Sequence, residues 1–563
     1  MSNQIISRRS FIKWIGITGG YVTLTPYSSW GGPKNSEKLS SDNFFKKNGP
    51  IDYQISINEK KSFYGDMPQL KAHPLLWEKE SVLSKYKKNT VYENADLVII
   101  GGGMSGLVSA YLLRGHKPII LEQGPRFGGN SQGEVWNDIA YSVGAAYFME
   151  QSPSSEIFKI FKEVGVHSVC RERDTEDQKL LNGVFYKDFW SGETDKAHKK
   201  QFIKLSEFFK QIHEETNGRV YPEIPLAVKL FSDDPKRTEY LKSLDKYNFK
   251  DYLEKVVLDG EKLIPHIEQS LERYMWSAFS CSTNEISAAI GLNAYAAEFG
   301  KAYVAPAGNA KVAEMFFTKS LEEIPQKNYR TESLVVDVRV EKDRTWVTYS
   351  DSAGKLKTIK AKAVIMACPK FVVKRILHDI EPERMLALNK LSYRSYLVAN
   401  VLINKKITQD IYDVYLIGKD LKPEESQVSD IIVANYANKN KSDSTVLTLY
   451  RSFPYESGRR LLYEENSFNK YKKEIEAQLH EEILPAFNLK KENIQDLRIT
   501  RWGHPLPLPV AGLIADGTIE KIRKPFKEKV FFIEQDNWMM AALESSVGEA
   551  IFWSKQVKML LKK

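Results

Sequence analysis

Residues 95–130 read A-D-L-V-I-I-G-G-G-M-S-G-L-V-S-A-Y-L-L-R-G-H-K-P-I-I-L-E-Q-G-P-R-F-G-G-N. The apolar run at 97–100 has strand length and stops at three glycines. Gly101, Gly103 and Gly106 fit G-x-G-x-x-G: the first permits a tight turn, the second lets backbone approach a pyrophosphate, and the third lets the next helix lie close to the strand. That helix would turn Leu107, Ala110 and Leu113 to the sheet and end near Gly115, ahead of Pro118. A second strand at 118–121 delivers Glu122, about 20 residues past the glycines, where an acid accepts hydrogen bonds from an adenosine ribose and repels a ribose phosphate. Strand, turn, helix, strand and acid in this order predict a dinucleotide site for FAD or NAD rather than NADP.

The next residues separate FAD from NAD. Gly124, Arg126, Gly128 and Gly129 complete E-x-G-x-R-x-G-G, which resembles FAD enzymes of the flavin-containing amine oxidoreductase superfamily. The expected fold class is therefore α/β: a Rossmann-like FAD-binding domain interleaved with an α+β substrate domain. The cofactor cradle read here comprises Gly101, Gly103, Met104, Ser105, Gly106, Glu122, Gln123, Arg126, Gly128, Gly129 and Asn130, although Asn130 stands where the family often has arginine. The resemblance continues in separate blocks. D-I-A-Y-S-V-G-A-A-Y-F-M (138–149) is similar to a strand ending beside the flavin, which makes Gly144 and Tyr147 pocket candidates, and 303–321 is similar to a proline-glycine turn into a helix. It also implies that Val335 meets the adenine edge and that 530–550 form the last cofactor strand and helix, with Glu544 in contact. For the acid before that helix, the monoamine oxidase pattern suits Glu534 and the spermidine dehydrogenase pattern Asp536; Asp536 is preferred. No cysteine follows Cys368, so the family's attachment near the C-terminus is missing and FAD is expected to be non-covalent.

The N-terminus carries Ser7-Arg8-Arg9-Ser10-Phe11-Ile12-Lys13 before a short apolar stretch at 14–24, close to a twin-arginine signal. The stretch is short and glycine-rich for a membrane span, and cleavage is placed at 28–32. Export in the folded state, to the periplasm, suits an enzyme that binds FAD in the cytoplasm. The organisation read is signal 1–32, N-terminal arm 33–93, FAD-binding parts 94–170, 300–375 and 500–563, and substrate-domain parts 171–299 and 376–499. Within these, Ser152-Pro153 should cap a helix burying Ile157, Ile160, Phe161 and Val164.

Hydrophobic content of 42% with 27% charged residues is that of a globular chain. The net charge of +9 comes from scattered lysines with no long basic block, so nucleic acid is not an expected partner. Cys170, Cys281 and Cys368 form no metal or haem motif. The partners expected are a small-molecule substrate, the twin-arginine translocon during export, and an electron acceptor.

Amine oxidation moves a hydride from the carbon beside nitrogen and needs a neutral amine in a dry pocket. The oxidase branch uses a lysine near the flavin and two aromatic rings; here Ala399, Asn400 and Ala542 stand at those places, while Trp502 and Trp538 are candidates for an aromatic wall. Tyr396 to Ile403 and Arg501-Trp502-Gly503-His504 also resemble exported spermidine dehydrogenases. His504, in a proline-stiffened segment read as a loop, is the catalytic candidate, because an unperturbed imidazole near pKa 6.5 can take a proton from a substrate ammonium. Three functions remain open at this point: an amine dehydrogenase or oxidase, a desaturase or isomerase of an apolar polyene, which would need no polar anchor, and a non-catalytic exported flavoprotein.

Overall fold

The computed structural model describes residues 43–57, 62–66, 72–84, 92–173, 178–215, 235–342, 344–438 and 442–562. The Arg8-Arg9 signal and its cleavage region lie outside the described residues.

The 97–100 run forms the C-terminal end of strand Tyr92–Ile100, whose Leu97, Val98 and Ile99 are wholly buried, each side chain contributing about 1.5–3 kcal/mol. It lies in a seven-stranded sheet, parallel to Ile119–Leu121 on one side and to Leu356–Met366 on the other. Val530–Phe532 joins the far end of Leu356–Met366 in parallel, so the last cofactor strand arrives from some 400 residues downstream, as anticipated. Helices Met104–Leu112, Asn309–Ser320 and Leu543–Leu561 cover one face through Leu107, Val108, Val312, Phe316, Val547 and Ala550.

The second sheet has eight strands, in the order Val184–Tyr186, Lys179–Leu181, Asp413–Ile417, Asp430–Val433, Thr445–Phe453, Tyr393–Ile403, Ile494–Pro507 and Tyr64–Gly65. Side chains alternate between its faces. Leu397, Ala399, Val401, Leu447 and Leu449 point to a core closed by Tyr471 and Ile475 of helix Ser467–Gln478. The other face carries a cross-strand row, Lys179, Tyr415, Asp430, Tyr450, Val398 and Thr500, each paired with the next.

Several sequence boundaries move. Strand Ile494–Pro507 belongs wholly to the second sheet, and Leu508, Leu513, Ile514, Ile519 and Ile522 pack with Leu271 and Phe279, so the chain re-enters the FAD domain near 530 rather than 500. Arg171–Arg173 pairs with Ala302–Val304, so the break at 170 divides a small sheet. The helix after Ser152-Pro153 is Glu156–Val164, capped by Ser155, whose Oγ accepts from the Phe158 amide at 3.0 Å; its four predicted apolar residues are buried. The arm is tied down where it is described: Ile51–Asp52 pairs with Gly133–Trp136, and Tyr64–Gly65 with the edge of Ile494–Pro507. No helix among the described residues is long and apolar enough to cross a membrane.

Candidate active site

A cavity of about 1140 Å³ is lined by residues of both sheets, ample for a dinucleotide and a substrate together. Its first end is the glycine turn. Gly101 has φ +105°, and a Cβ there would sit 2.3 Å from the Ala367 carbonyl oxygen; a Cβ on Gly106 would sit 2.0 Å from the Gly101 oxygen. Gly103 differs: its added Cβ would meet nothing nearer than the Gly129 Cα at 3.7 Å, leaving the space beside it to the cavity. Helix Met104–Leu112 begins here without a side-chain cap, so it can offer first-turn N–H groups to an anion; helix Leu543–Leu561 also lacks an N-cap side chain, but the Glu544 carboxylate accepts from its own amide. Glu122 accepts from the Gly102 amide at 2.8 Å and the Gly124 amide at 2.7 Å; burial raises its pKa, and those two amides pull it back. Asn309 Oδ1, buried in the same wall, has no hydrogen-bond partner among the described residues. This donor-rich turn, with an acid beyond it and open space at Gly103, fits FAD.

Met104, Ser105, Gln123, Arg126, Gly128, Gly129, Asn130, Val335 and Glu544 all reach the cavity wall. Gly106 lies behind it as a packing residue. Arg126 spends its guanidinium on the arm, donating to the carbonyls of Lys46, Lys47 and Ile51. Asn130 Nδ2 donates to Pro505 O at 3.1 Å. Glu544 accepts from the Met149 amide at 2.7 Å, and burial raises its pKa to about 7. The choice of Asp536 requires correction. That carboxylate is sealed behind the wall by the Lys370 ammonium at 3.0 Å, the Lys370 amide at 2.7 Å and the Tyr393 hydroxyl at 2.6 Å. Glu534 faces the cavity instead, with Ser105 Oγ 3.4 Å away. Burial, then Asp536, raises its pKa to about 8.

At its other end the cavity is walled by Tyr147, Tyr274, Tyr396, Tyr415, Tyr450 and Trp502. Trp502 donates to Val143 O at 2.7 Å and Tyr450 to Gly144 O at 2.7 Å, which fixes this aromatic wall to the loop predicted to lie beside the flavin. Trp538 is buried elsewhere, against Glu549. Among the described residues no lysine lines the cavity: Ala399 faces the helix-covered side, and Asn400 is sealed under Thr448. Glu298 and Asp430 reach this end. Glu298 accepts from Tyr147 at 2.8 Å and Tyr274 at 3.1 Å and pairs with Arg173. Asp430 lies in the cross-strand row, and its pKa is raised well above the ordinary carboxylate range by burial and then by Asp413. Sequence reading missed Asp430; its signal was an acid opening the apolar run Asp430-Ile-Ile-Val.

His504 lines the cavity, but not as a titrating base. Its segment is strand rather than loop, with Pro505 and Pro507 falling near a register shift of the ladder. Its ring stacks on Phe371 with centroids 4.2 Å apart, and Nε2 accepts from the Arg459 guanidinium. Burial, then Arg459 and His73, lower its pKa to about 3, so it is neutral throughout the working range and its acceptor nitrogen is taken. A His504→Gln variant is therefore expected to show the parent's pH profile for flavin reduction between pH 5 and 9; a limb near pH 6.5 that disappears in the variant would contradict this.

Known proteins resemble this arrangement. Oxidoreductase PigB of Serratia sp. (strain ATCC 39006) is 23% identical over 510 residues, covering 82% of this chain and 75% of that protein. The structure of wild-type putrescine oxidase bound to putrescine superposes with a TM-score of 0.61 at 14% identity, covering 83% of this chain and 100% of the other. Cyclohexylamine oxidase from Brevibacterium oxydans gives 0.57 at 12%, covering 83% and 99%. At such identities these structures share the fold. The family model described as flavin containing amine oxidoreductase matches residues 104–505, from the glycine-turn helix to the strand carrying His504, and the chain belongs to that family of FAD-dependent oxidoreductases.

Proposed function

We propose that this enzyme oxidises a small, polyamine-like amine at the carbon beside nitrogen, and that it does so in the periplasm after twin-arginine export. The observation that carries the amine reading is the pair of acids at the tyrosine-walled end. Glu298 and Asp430 line the cavity there, and among the described residues no lysine or arginine lines that end to repel a substrate cation. Bound FAD supplies the hydride acceptor. The chain supplies the rest: the aromatic rings confine the substrate and keep water out, and Tyr450 and Trp502 hold the wall against the Gly144 loop. An apolar polyene would need no such anchor, so two buried acids speak against that reading.

Anaerobic mixing of the FAD-loaded protein with putrescine, spermidine, cyclohexylamine and benzylamine tests it. Bleaching of the flavin by at least one amine is expected; bleaching only by lipid extracts would favour the polyene reading, and none by either would favour a non-catalytic flavoprotein.

The export half rests on Arg8-Arg9, which the translocon reads as an address. Replacing both by lysine should leave active, yellow precursor in the cytoplasm. Unchanged periplasmic yield of the double variant would remove the export reading and leave the chemistry intact.

A further inference from the structure

An alkylamine arrives at neutral pH as its ammonium ion, yet loss of hydride requires the free lone pair, so the proton has to go somewhere inside the site. Among the described residues no lysine lines the cavity, and His504 has its acceptor nitrogen occupied by Arg459. We propose that Asp430 is the proton acceptor: its carboxylate pairs with the substrate nitrogen and takes the proton which that nitrogen gives up before oxidation. The proposal rests on the amine reading above.

Asp430 is 2% exposed, yet it lines the cavity. Its row neighbour Tyr450 donates to Gly144 O, so the acid stands one strand away from the wall beside the expected flavin ring. Ser429 Oγ donates to its Oδ1 at 2.7 Å. Ser277, from the facing helix Pro265–Phe279, also bonds to it and accepts from Tyr396 at 3.3 Å. The titratable groups facing it among the described residues are Asp413 and Tyr415 on one neighbouring strand with Tyr412 just before it, Lys179 on the next, and Tyr450 and Tyr396 on the other side. Burial and Asp413 favour its protonated form, while Ser429, Ser277 and Lys179 oppose them. Glu298, another acid at this end, is committed to Tyr147, Tyr274 and Arg173.

In a site that penalises charge, a neutral acid beside a neutral amine is preferred to an ion pair. The exchange is R2CH–NH3+ plus Asp430–COO− giving R2CH–NH2 plus Asp430–COOH. One N–H bond breaks and one O–H bond forms. Where resting Asp430 already carries a proton, that proton passes to water as the ammonium enters, so one proton reaches solvent per substrate bound. Hydride loss then leaves the substrate as an iminium cation, and Asp430 balances that charge by giving its proton to water.

The FAD-loaded full chain is mixed anaerobically with putrescine, cyclohexylamine and benzylamine from pH 6 to 10.5. Flavin bleaching gives the limiting rate and the half-saturating concentration, and an indicator dye in weak buffer counts released protons. Asp430→Asn keeps the shape and loses the proton acceptor. At pH 7 its limiting rate should fall on the order of 100-fold, climb with pH as the free-amine fraction rises, and approach the parent near the amine's own pKa. At pH 7 the variant should hold its substrate as the ammonium ion, so the proton that a protonated resting Asp430 releases on binding in the parent should disappear. Asp430→Glu should restore proton release and bring the rate to within about tenfold of the parent; if the asparagine variant fails to hold FAD, the glutamate variant decides by the same two readings. An asparagine variant with the parent's limiting rate and pH profile, even at a raised half-saturating concentration, would make Asp430 an anchor only and overturn the proposal, as would an equal loss at every pH with proton release intact. If none of the amines bleaches the parent's flavin, the amine reading itself falls and takes this inference with it, an outcome distinct from failure of the variant alone.

Discussion

Gly106→Ala is expected to lose both stability and FAD, whereas Gly103→Ala is expected to fold and lose FAD alone. The methyl at position 106 would lie 2.0 Å from the Gly101 carbonyl oxygen and 3.1 Å from its carbon, backbone atoms that cannot rotate aside. Gly101 cannot retreat easily, because its turn requires φ +105° and is backed by Ala367 O. Overpacking of this kind costs about 3 kcal/mol or more, a large share of the roughly 5–15 kcal/mol that keeps a domain folded. The apoprotein itself should therefore melt several degrees lower. At Gly103 the backbone lies at φ −75° and ψ −171°, a conformation open to any residue, and the methyl meets only Gly129 Cα at 3.7 Å. Alanine as a helix N-cap costs about 1 kcal/mol or less relative to glycine, so the apoprotein should be nearly unchanged. The methyl instead occupies the approach to the uncapped helix start, and FAD affinity should fall on the order of 100-fold, equivalent to about 2.7 kcal/mol. Thermal melts of both apoproteins, with flavin fluorescence quenching on titration, separate the two effects. A Gly103→Ala protein that purifies with the parent's flavin content would refute this account of the turn.

The parts that sequence made legible are those where local geometry dictates residue type. A turn with positive φ at Gly101, a contact that excludes a Cβ at Gly106, and an acid ending Ile119–Leu121 all leave a mark within 30 residues. The C-terminal return was readable for the same reason, since a short apolar strand leads straight into the helix that starts at the cofactor. What was not legible depends on partners far away in the chain. Glu534 and Asp536 are two positions apart, so strand alternation would put both on one face; but the strand stops at Phe532 and a tight turn takes over at Gln535–Asn537, which sends Asp536 behind the wall. Its partner Lys370 is 166 positions away. Asp430 was hidden similarly. An acid that opens a four-residue apolar strand reads as a solvent-facing strand end, and only the register placing it between Tyr415 and Tyr450 brings it to the cavity. The histidine suffered the opposite error: its residue type suggested chemistry, and its neighbours Arg459 and Phe371 withdraw it.

The same turn sets up the second large effect. Lys370 is fully buried, and its ammonium is shared between Asp536 Oδ1 at 3.0 Å and Asn537 Oδ1 at 2.6 Å. Its chain neighbours Pro369 and Phe371 line the cavity, as do Glu534 and Gln535, so the pair joins two wall segments from behind. Replacing Lys370 by methionine keeps the volume and removes the charge, leaving a buried carboxylate whose remaining donors among the described residues are the backbone amide at 370 and the Tyr393 hydroxyl. Loss of one partner of such a pair costs about 3–5 kcal/mol, because the remaining charge stays desolvated. The pH dependence follows from Glu534, whose pKa burial and Asp536 raise from 4.5 to about 8, with Lys370 drawing it down. A carboxyl raised on folding contributes stability at acid pH that is lost as pH climbs from 4.5 towards 8. The Lys370→Met penalty should therefore be smaller at pH 5, where Glu534 is protonated in the folded chain, than at pH 8.5, where two carboxylates face each other without the cation. Urea unfolding of the apoprotein at both pH values measures this, and Lys370→Met with Asp536→Leu should recover most of the loss, since the unpaired charge goes with its partner. A single variant within about 1 kcal/mol of the parent at pH 8.5 would mean that the wall stands without the buried pair, and the placement of Glu534 would then have to come from the backbone turn alone.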